Sequence, residues 1–85
     1  MSTSSEPIHR ADDQIVTLLS QWLVGQLGND ALRKAVEDVG TAELAPGQRD
    51  AVDELLTELR AALPGERADL QVVVRETLES LAYGD

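Results

Sequence analysis

The chain has 85 residues, 42% of them hydrophobic, and its 16 acidic and 7 basic side chains give a net charge of −9. This length supports one domain with a small core, and the lack of cysteine excludes disulfides, thiolate metal sites and thiol redox chemistry. Nucleic-acid affinity comes largely from basic side chains, and a bilayer span needs about 18 or more consecutive apolar residues. The bases of this chain are scattered among acids and form no basic stripe, and no apolar run reaches that length, so we expect no direct binding to nucleic acid or to a membrane.

The first residues of the chain, MSTSSEP, lack the basic and apolar regions of a signal peptide. Small polar residues dominate residues 1–6, which we expect to form a disordered tail. Residues 7–85 are expected to form a single helical domain, and the expected location is the cytoplasm.

The first predicted helix begins near Pro7 and continues to Leu27. Gly28 is expected to take the left-handed conformation that ends this helix, and Asn29 is expected to cap the next one. Apolar residues at i, i+3, i+4 and i+7 spacing indicate one buried helical face. This main stripe consists of Ile15, Leu18, Leu19, Trp22 and Leu27.

A second group of apolar residues, Val16, Leu23 and Val24, lies beside the main stripe. A helix that is apolar nearly all round is buried nearly all round. Either the other helices surround the first helix or a second protein covers its far side, and we favour the second protein. Trp22 has two interpretations, a core residue or an interface anchor, since tryptophan is enriched among interface hot spots.

The second predicted helix extends from Asp30 to about Val39, and Gly40 ends it. A connector from Thr41 to Ala45 follows, and we expect it to make one helical turn.

The third predicted helix starts at Pro46. The N–H at the first position of a helix has no partner within the helix, so its absence in proline costs nothing there. Ala45 is a poor cap, and Gln48 is expected to reach back toward the start of the helix. The apolar face consists of Val52, Leu55, Leu56, Leu59 and Leu63. The outward face carries four carboxylates, Asp50, Asp53, Glu54 and Glu58.

The fourth predicted helix extends from about Glu66 to Leu81. Its inward positions are Leu70, Val73, Val74, Thr77, Leu78 and Leu81. No segment keeps the period-2 alternation of a strand. Four helices joined by short connections are typical of an all-α fold, and we predict a small four-helix bundle, up-and-down or a distorted relative of that topology.

Few residues suit catalysis or metal binding. The single histidine, His9, is followed by Asp12 and Asp13 at helical spacing. A structural metal site normally takes about four ligands, so we interpret His9 as a solvated side chain. The hydroxyl residues of the predicted helices have no histidine near in sequence to activate them. We therefore predict no catalytic residue, no metal site and no cofactor.

The residues Asp30-Ala31-Leu32 begin the second predicted helix. Acyl carrier proteins, which are also acidic, helical and of about this length, have Asp-Ser-Leu at the comparable place, where the serine bears phosphopantetheine. Ala31 has no hydroxyl to carry such a group. We therefore interpret the tripeptide as an ordinary helix start.

These observations favour a non-catalytic protein–protein interaction module: a small subunit, adaptor or regulator. The predicted interface lies on the first helix at Val16, Trp22, Leu23 and Val24, and the expected partner is a second copy of the chain or another protein. The alternative is an acidic inhibitor or immunity-type protein that binds a basic toxin or a nucleic-acid enzyme. In that case the binding face is the set of outward carboxylates on the third helix, Asp50, Asp53, Glu54 and Glu58.

Overall fold

The structure, a computed structural model, describes residues 10–63 and 65–83. Within these residues it contains four helices and no strand: α1 (Ala11–Leu23), α2 (Asn29–Val39), α3 (Pro46–Ala61) and α4 (Ala68–Tyr83). The helices hold 77% of the described residues. The prediction of a small all-α four-helix bundle is confirmed.

The helices pack in a ring, with α1 against α2, α2 against α3, α3 against α4, and α4 against α1. The contact between α3 and α4 is the most extensive of these. Because short connections place successive helices antiparallel, the ring is an up-and-down bundle. The first helix therefore has two neighbouring helices and is not surrounded by the other three.

The core takes side chains from all four helices, and most of them were predicted to face inward. The largest fully buried side chains are Trp22, Ile15, Leu19, Leu32, Leu55, Val36, Val52, Val74 and Thr77. Thr77 is the polar member of this set, and its hydroxyl donates to the Val73 carbonyl at 2.8 Å. The burial of Thr77 therefore leaves no unpaired hydroxyl donor.

α1 ends at Leu23, so the prediction that it continues to Leu27 is wrong. Gly25, with φ of 85°, takes the left-handed conformation that was predicted for Gly28. The N–H groups of Gly25 and of the next residue donate to carbonyls in the last turn of α1, the pattern of a Schellman motif. The earlier of the two glycines ends the helix because the last-turn carbonyls find their partners there.

Gln48 joins the start of α3 to the end of α4. Its Oε1 accepts a hydrogen bond from the Ala45 N–H at 3.0 Å, which confirms the predicted reach toward the start of α3. Its Nε2 donates to the Leu81 carbonyl at 3.0 Å. Gln48 is buried. Its side-chain amide gives the Ala45 N–H an acceptor and links the start of α3 to the end of α4 at this end of the bundle.

The connection between α3 and α4 is longer than predicted. α3 ends at Ala61 and α4 begins at Ala68, so the inward position predicted for Leu63 and the start predicted at Glu66 are both wrong. Leu63 is 71% exposed. Proline disfavours a helical conformation in the residue before it, and Pro64 follows Leu63 directly. The Leu63 N–H donates instead to Glu66 Oε1 at 3.1 Å.

Two predictions on the N-terminal segment lie outside the described residues: the tail of residues 1–6 and the solvated His9. α1 begins at Ala11, after Arg10 in an extended conformation, so the helix start predicted near Pro7 is wrong. Among the described helices, none combines the length and the apolar character that a membrane span requires.

We predict that Leu55→Ala lowers the free energy of unfolding by about 2–5 kcal/mol, because it deletes buried methyl groups and leaves a cavity. Leu55 is fully buried. The matched control is Leu63→Ala, the same substitution at a side chain that is 71% exposed, for which we expect a change within about 0.5 kcal/mol. Urea unfolding followed by circular dichroism measures both variants. Equal losses would contradict the assignment of inward and outward faces.

Candidate functional site

The four residues predicted as an interface on the first helix do not form one surface patch. Trp22 is completely buried, which corrects its assignment to an interface, because in this fold its ring is not accessible to a partner. It shares an inward stripe with Ile15, which lies about two turns earlier. Val16 and Leu23 are partly buried and pack against the core. Val24 follows the last residue of α1 and is 70% exposed.

The environment of Trp22 is polar on one side. The indole Nε1 donates to Asn29 Oδ1 at 2.7 Å, so the buried ring has no unpaired donor. The guanidinium carbon of Arg67 lies 4.0 Å from the centroid of the ring, within cation–π range. Arg67 also donates to the backbone carbonyls of Trp22 and Leu27. We call Trp22, Asn29 and Arg67 the loop clasp.

Within the loop clasp, the side chain of Asn29 links α1 to the connection between α3 and α4. Its Oδ1 binds the Trp22 indole of α1, and its Nδ2 donates to the Glu66 carbonyl of the α3–α4 connection at 2.7 Å. Sequence reasoning assigned Asn29 as the cap of α2, whereas the structure places it as the first residue of that helix, after Gly28. Its side chain is therefore occupied in tertiary contacts. No periodicity in the sequence indicates this contact, since Asn29 and Glu66 are far apart along the chain.

The predicted acidic face of α3 is exposed as expected. The four carboxylates Asp50, Asp53, Glu54 and Glu58 are all exposed. Within residues 10–63 and 65–83, ion pairs involve only the acids Asp12, Asp30 and Glu37. The α3 carboxylates therefore face solvent together without a cationic partner in the described part of the chain.

Four of the five ion pairs in the described part of the chain involve α2, and one of these four reaches α3. Glu37 binds Arg33 at 3.0 Å and Arg60 of α3 at 2.8 Å. The hydrogen bond from Arg60 and the charge of Arg33 hold the pKa of the Glu37 carboxyl below its usual value. Hydrogen bonds from Arg33 and Lys34 likewise lower the pKa of Asp30. This network thus engages Arg33, Lys34 and Arg60, whereas Arg49 of α3 is exposed and forms no ion pair within the described residues.

An open groove of about 540 Å³ lies between α1 and α2. Its apolar part consists of partly buried side chains, Leu18, Ala35 and Val39. Its polar part consists of Asp13, Gln14, Thr17, Gln21 and Asp38. Sequence reasoning missed this groove, because Leu18 was counted as an inward residue of α1 and nothing along the sequence shows how closely α2 packs beside it.

The described residues contain no group of three or more His, Cys, Asp or Glu side chains placed to hold a metal ion. The arrangement consists of a helical bundle with an acidic helix face and an apolar groove. Such features suit binding to another macromolecule. The chain matches no family model, no curated protein and no solved structure.

We predict that Asn29→Ala lowers the free energy of unfolding by about 1–3 kcal/mol, because it leaves the buried Trp22 N–H without an acceptor. Trp22 is the single tryptophan of the chain, so its fluorescence reports directly on the loop clasp. Urea unfolding followed by fluorescence and by circular dichroism measures the change.

Asn29→Asp is the matched control for this prediction. A carboxylate still accepts the hydrogen bond from the indole and suits the N-terminus of α2, but it has no N–H to donate to the Glu66 carbonyl. We expect a smaller loss than for Asn29→Ala. If Asn29→Ala were as stable as the wild type, the role assigned to the indole–amide bond would be wrong.

Proposed function

We propose that the chain is a non-catalytic protein-interaction module that binds a basic protein through the acidic face of α3. The observation that supports this proposal is the exposure of Asp50, Asp53, Glu54 and Glu58 without an ion-pair partner in the described part of the chain. Of the bases, Arg33, Lys34 and Arg60 are engaged in ion pairs on α2 and α3.

A face of this kind suits a basic partner for a physical reason. Like charges at one-turn spacing repel each other, and a cationic surface relieves that repulsion on binding. Complementary charge also steers the encounter and raises the association rate. An inhibitor of a basic toxin or of a nucleic-acid enzyme is the class of function that this chemistry fits best.

The geometry gives less support to an interface on the first helix. The burial of Trp22 removes its largest predicted anchor. The contacts of Val16 and Leu23 with the core reduce the area that they offer to a partner. By contrast, every carboxylate predicted on α3 is exposed.

We predict that affinity capture from the source cell retrieves a basic protein whose direct binding weakens as salt rises, because screening shortens the reach of exposed charges. A variant with Asp50→Asn, Asp53→Asn, Glu54→Gln and Glu58→Gln is expected to lose that partner. These substitutions keep the size of each side chain and leave the core untouched. Surface plasmon resonance with the purified partner measures the association rate.

The matched control replaces acids outside the α3 face. Glu76→Gln with Glu79→Gln on α4 changes two exposed acids that have no ion pair within the described residues. We expect this control to keep most of the binding. A partner that binds the α3 variant as well as the wild type, or whose association is independent of salt, would refute the proposal.

Self-association is the second candidate, and the exposure of Val24 favours it. A closed two-fold dimer is the commonest way to cover a self-complementary patch. If the chain dimerises there, light scattering at high micromolar concentration gives a dimer mass, and Val24→Glu restores the monomer. Val72→Glu, at a valine of α4 that is 58% exposed, is the matched control and is expected to leave the mass unchanged. A monomer mass for the wild type would exclude this candidate.

A further inference from the structure

The groove between α1 and α2 combines apolar side chains with carboxylates, whereas the predicted binding face of α3 consists of carboxylates. Its apolar side chains, Leu18, Ala35 and Val39, are partly buried between two packed helices. The volume of about 540 Å³ falls within the range of about 300–1,000 Å³ that is typical of binding pockets. Leu18 lies on α1, whereas Ala35 and Val39 lie on α2, so both helices contribute apolar surface to the groove.

One end of this groove is negatively charged. α1 and α2 are antiparallel, so Asp13 in the first turn of α1 lies near Asp38 at the end of α2, and both side chains line the groove. Both residues are exposed, and neither forms an ion pair within residues 10–63 and 65–83.

The position of Asp38 makes the charge at this end unfavourable for the chain alone. The C-terminus of a helix carries a partial negative charge, which favours cations and disfavours carboxylates. The last turn of α2 has no basic residue. A cation that enters this end of the groove would therefore compensate Asp38 and the C-terminus of α2, whereas the N-terminus of α1 already favours the charge of Asp13.

We propose that this groove binds an amphipathic helix of a partner protein that has a Lys or Arg about one turn before an apolar side chain. The cation lies between Asp13 and Asp38, and the apolar side chain contacts Leu18 and Ala35. This inference rests on the proposed function and specifies a second contact surface for the basic partner.

The secondary structure and the length of the groove indicate that its occupant is a helix. The described residues contain no strand, so a partner finds no free strand edge to pair with and must bind through side chains. The groove extends along α1 from Asp13 to Gln21, about 12 Å at 1.5 Å per residue, which matches roughly two turns of a helix.

A second copy of the chain is a poor occupant of this groove. Its exposed surface carries acids of the same sign as Asp13 and Asp38, so charge repulsion opposes the contact. A helix of a basic protein has the complementary charge. Electrostatic complementarity of this kind selects between partners more strongly than apolar contact alone.

The test uses a synthetic peptide of about 18 residues, long enough to form a helix in water, built from Leu, Lys and Ala. Its leucines form one helical stripe, and a lysine precedes them by one turn. A peptide of the same composition with the stripe scrambled is the control for helical pattern. Fluorescence anisotropy of the labelled peptides with the full chain, at about 0.15 M salt, measures affinity while screening distant charges.

Asp13→Asn with Asp38→Asn is expected to weaken binding by roughly 3- to 30-fold, the effect of two partly exposed charge pairs. The matched control is Asp53→Asn with Glu58→Gln on α3, which makes the same change in net charge outside the groove and is expected to alter affinity by less than about two-fold. Circular dichroism confirms that the variants keep their helices.

Ala35→Gln provides a second measurement that does not change the charge. The longer side chain occupies the apolar part of the groove, and glutamine is a good helix former, so the variant is expected to fold and to bind at least several-fold more weakly. Ala61→Gln, at an exposed position of α3, is its matched control and is expected to bind as the wild type does.

Two results would overturn the inference. One is an equal loss of affinity for the groove variants and their α3 controls, which would mean that the peptide binds general negative charge. The other is a peptide that does not bind, or that binds no better than its scrambled form. In either case the captured basic protein still tests the proposed function separately, through the variants of the α3 face.

Discussion

The hydrogen bond between the Trp22 indole and the Asn29 side chain is the interaction on which the rest of the bundle depends. The core needs the large ring of Trp22, yet a buried indole N–H requires an acceptor. Asn29 supplies it at 2.7 Å and binds the α3–α4 connection through the other atom of the same amide. Arg67 covers the ring and bonds the end of α1. At the opposite end Gln48 uses both atoms of its amide in the same way, so each end of the bundle is closed by one side-chain amide.

Because several arginines are paired within the fold, the exposed surface of residues 10–63 and 65–83 is left with unpaired carboxylates. Arg67 lies on Trp22, and Arg33 and Arg60 converge on Glu37, so these cations serve the fold. The carboxylates of α3 and those at one end of the α1–α2 groove are left without such partners in the described part of the chain. In the ring, α3 packs against α2 and α4, whereas the groove lies between α1 and α2. The two proposed contact surfaces therefore belong to different helices, with α2 between α1 and α3 in the ring.

Local signals predicted the end of α2 and the start of α3 correctly. Pro46 begins α3 and Gly40 ends α2, since each acts through its own backbone preference. The outward carboxylates of α3 follow from its helical period alone. The errors occur at turns, where the local signals allow more than one choice. The end of α1 depended on a choice between two glycines, and Leu63 depended on where the chain turns toward α4.

The sequence by itself determined the fold class, the inward stripes and the acidic character of α3, because periodicity and charge are written along each helix. Only the tertiary structure decided that Trp22 is sealed in the core, that Asn29 joins α1 to the α3–α4 connection, and that Leu18 lines a groove. The physical reason is that a stripe shows which face of a helix is apolar, but the neighbouring helices decide how much of that face they cover. Leu18 and Leu19 are adjacent in the same stripe, and α2 leaves the first partly open while the core buries the second.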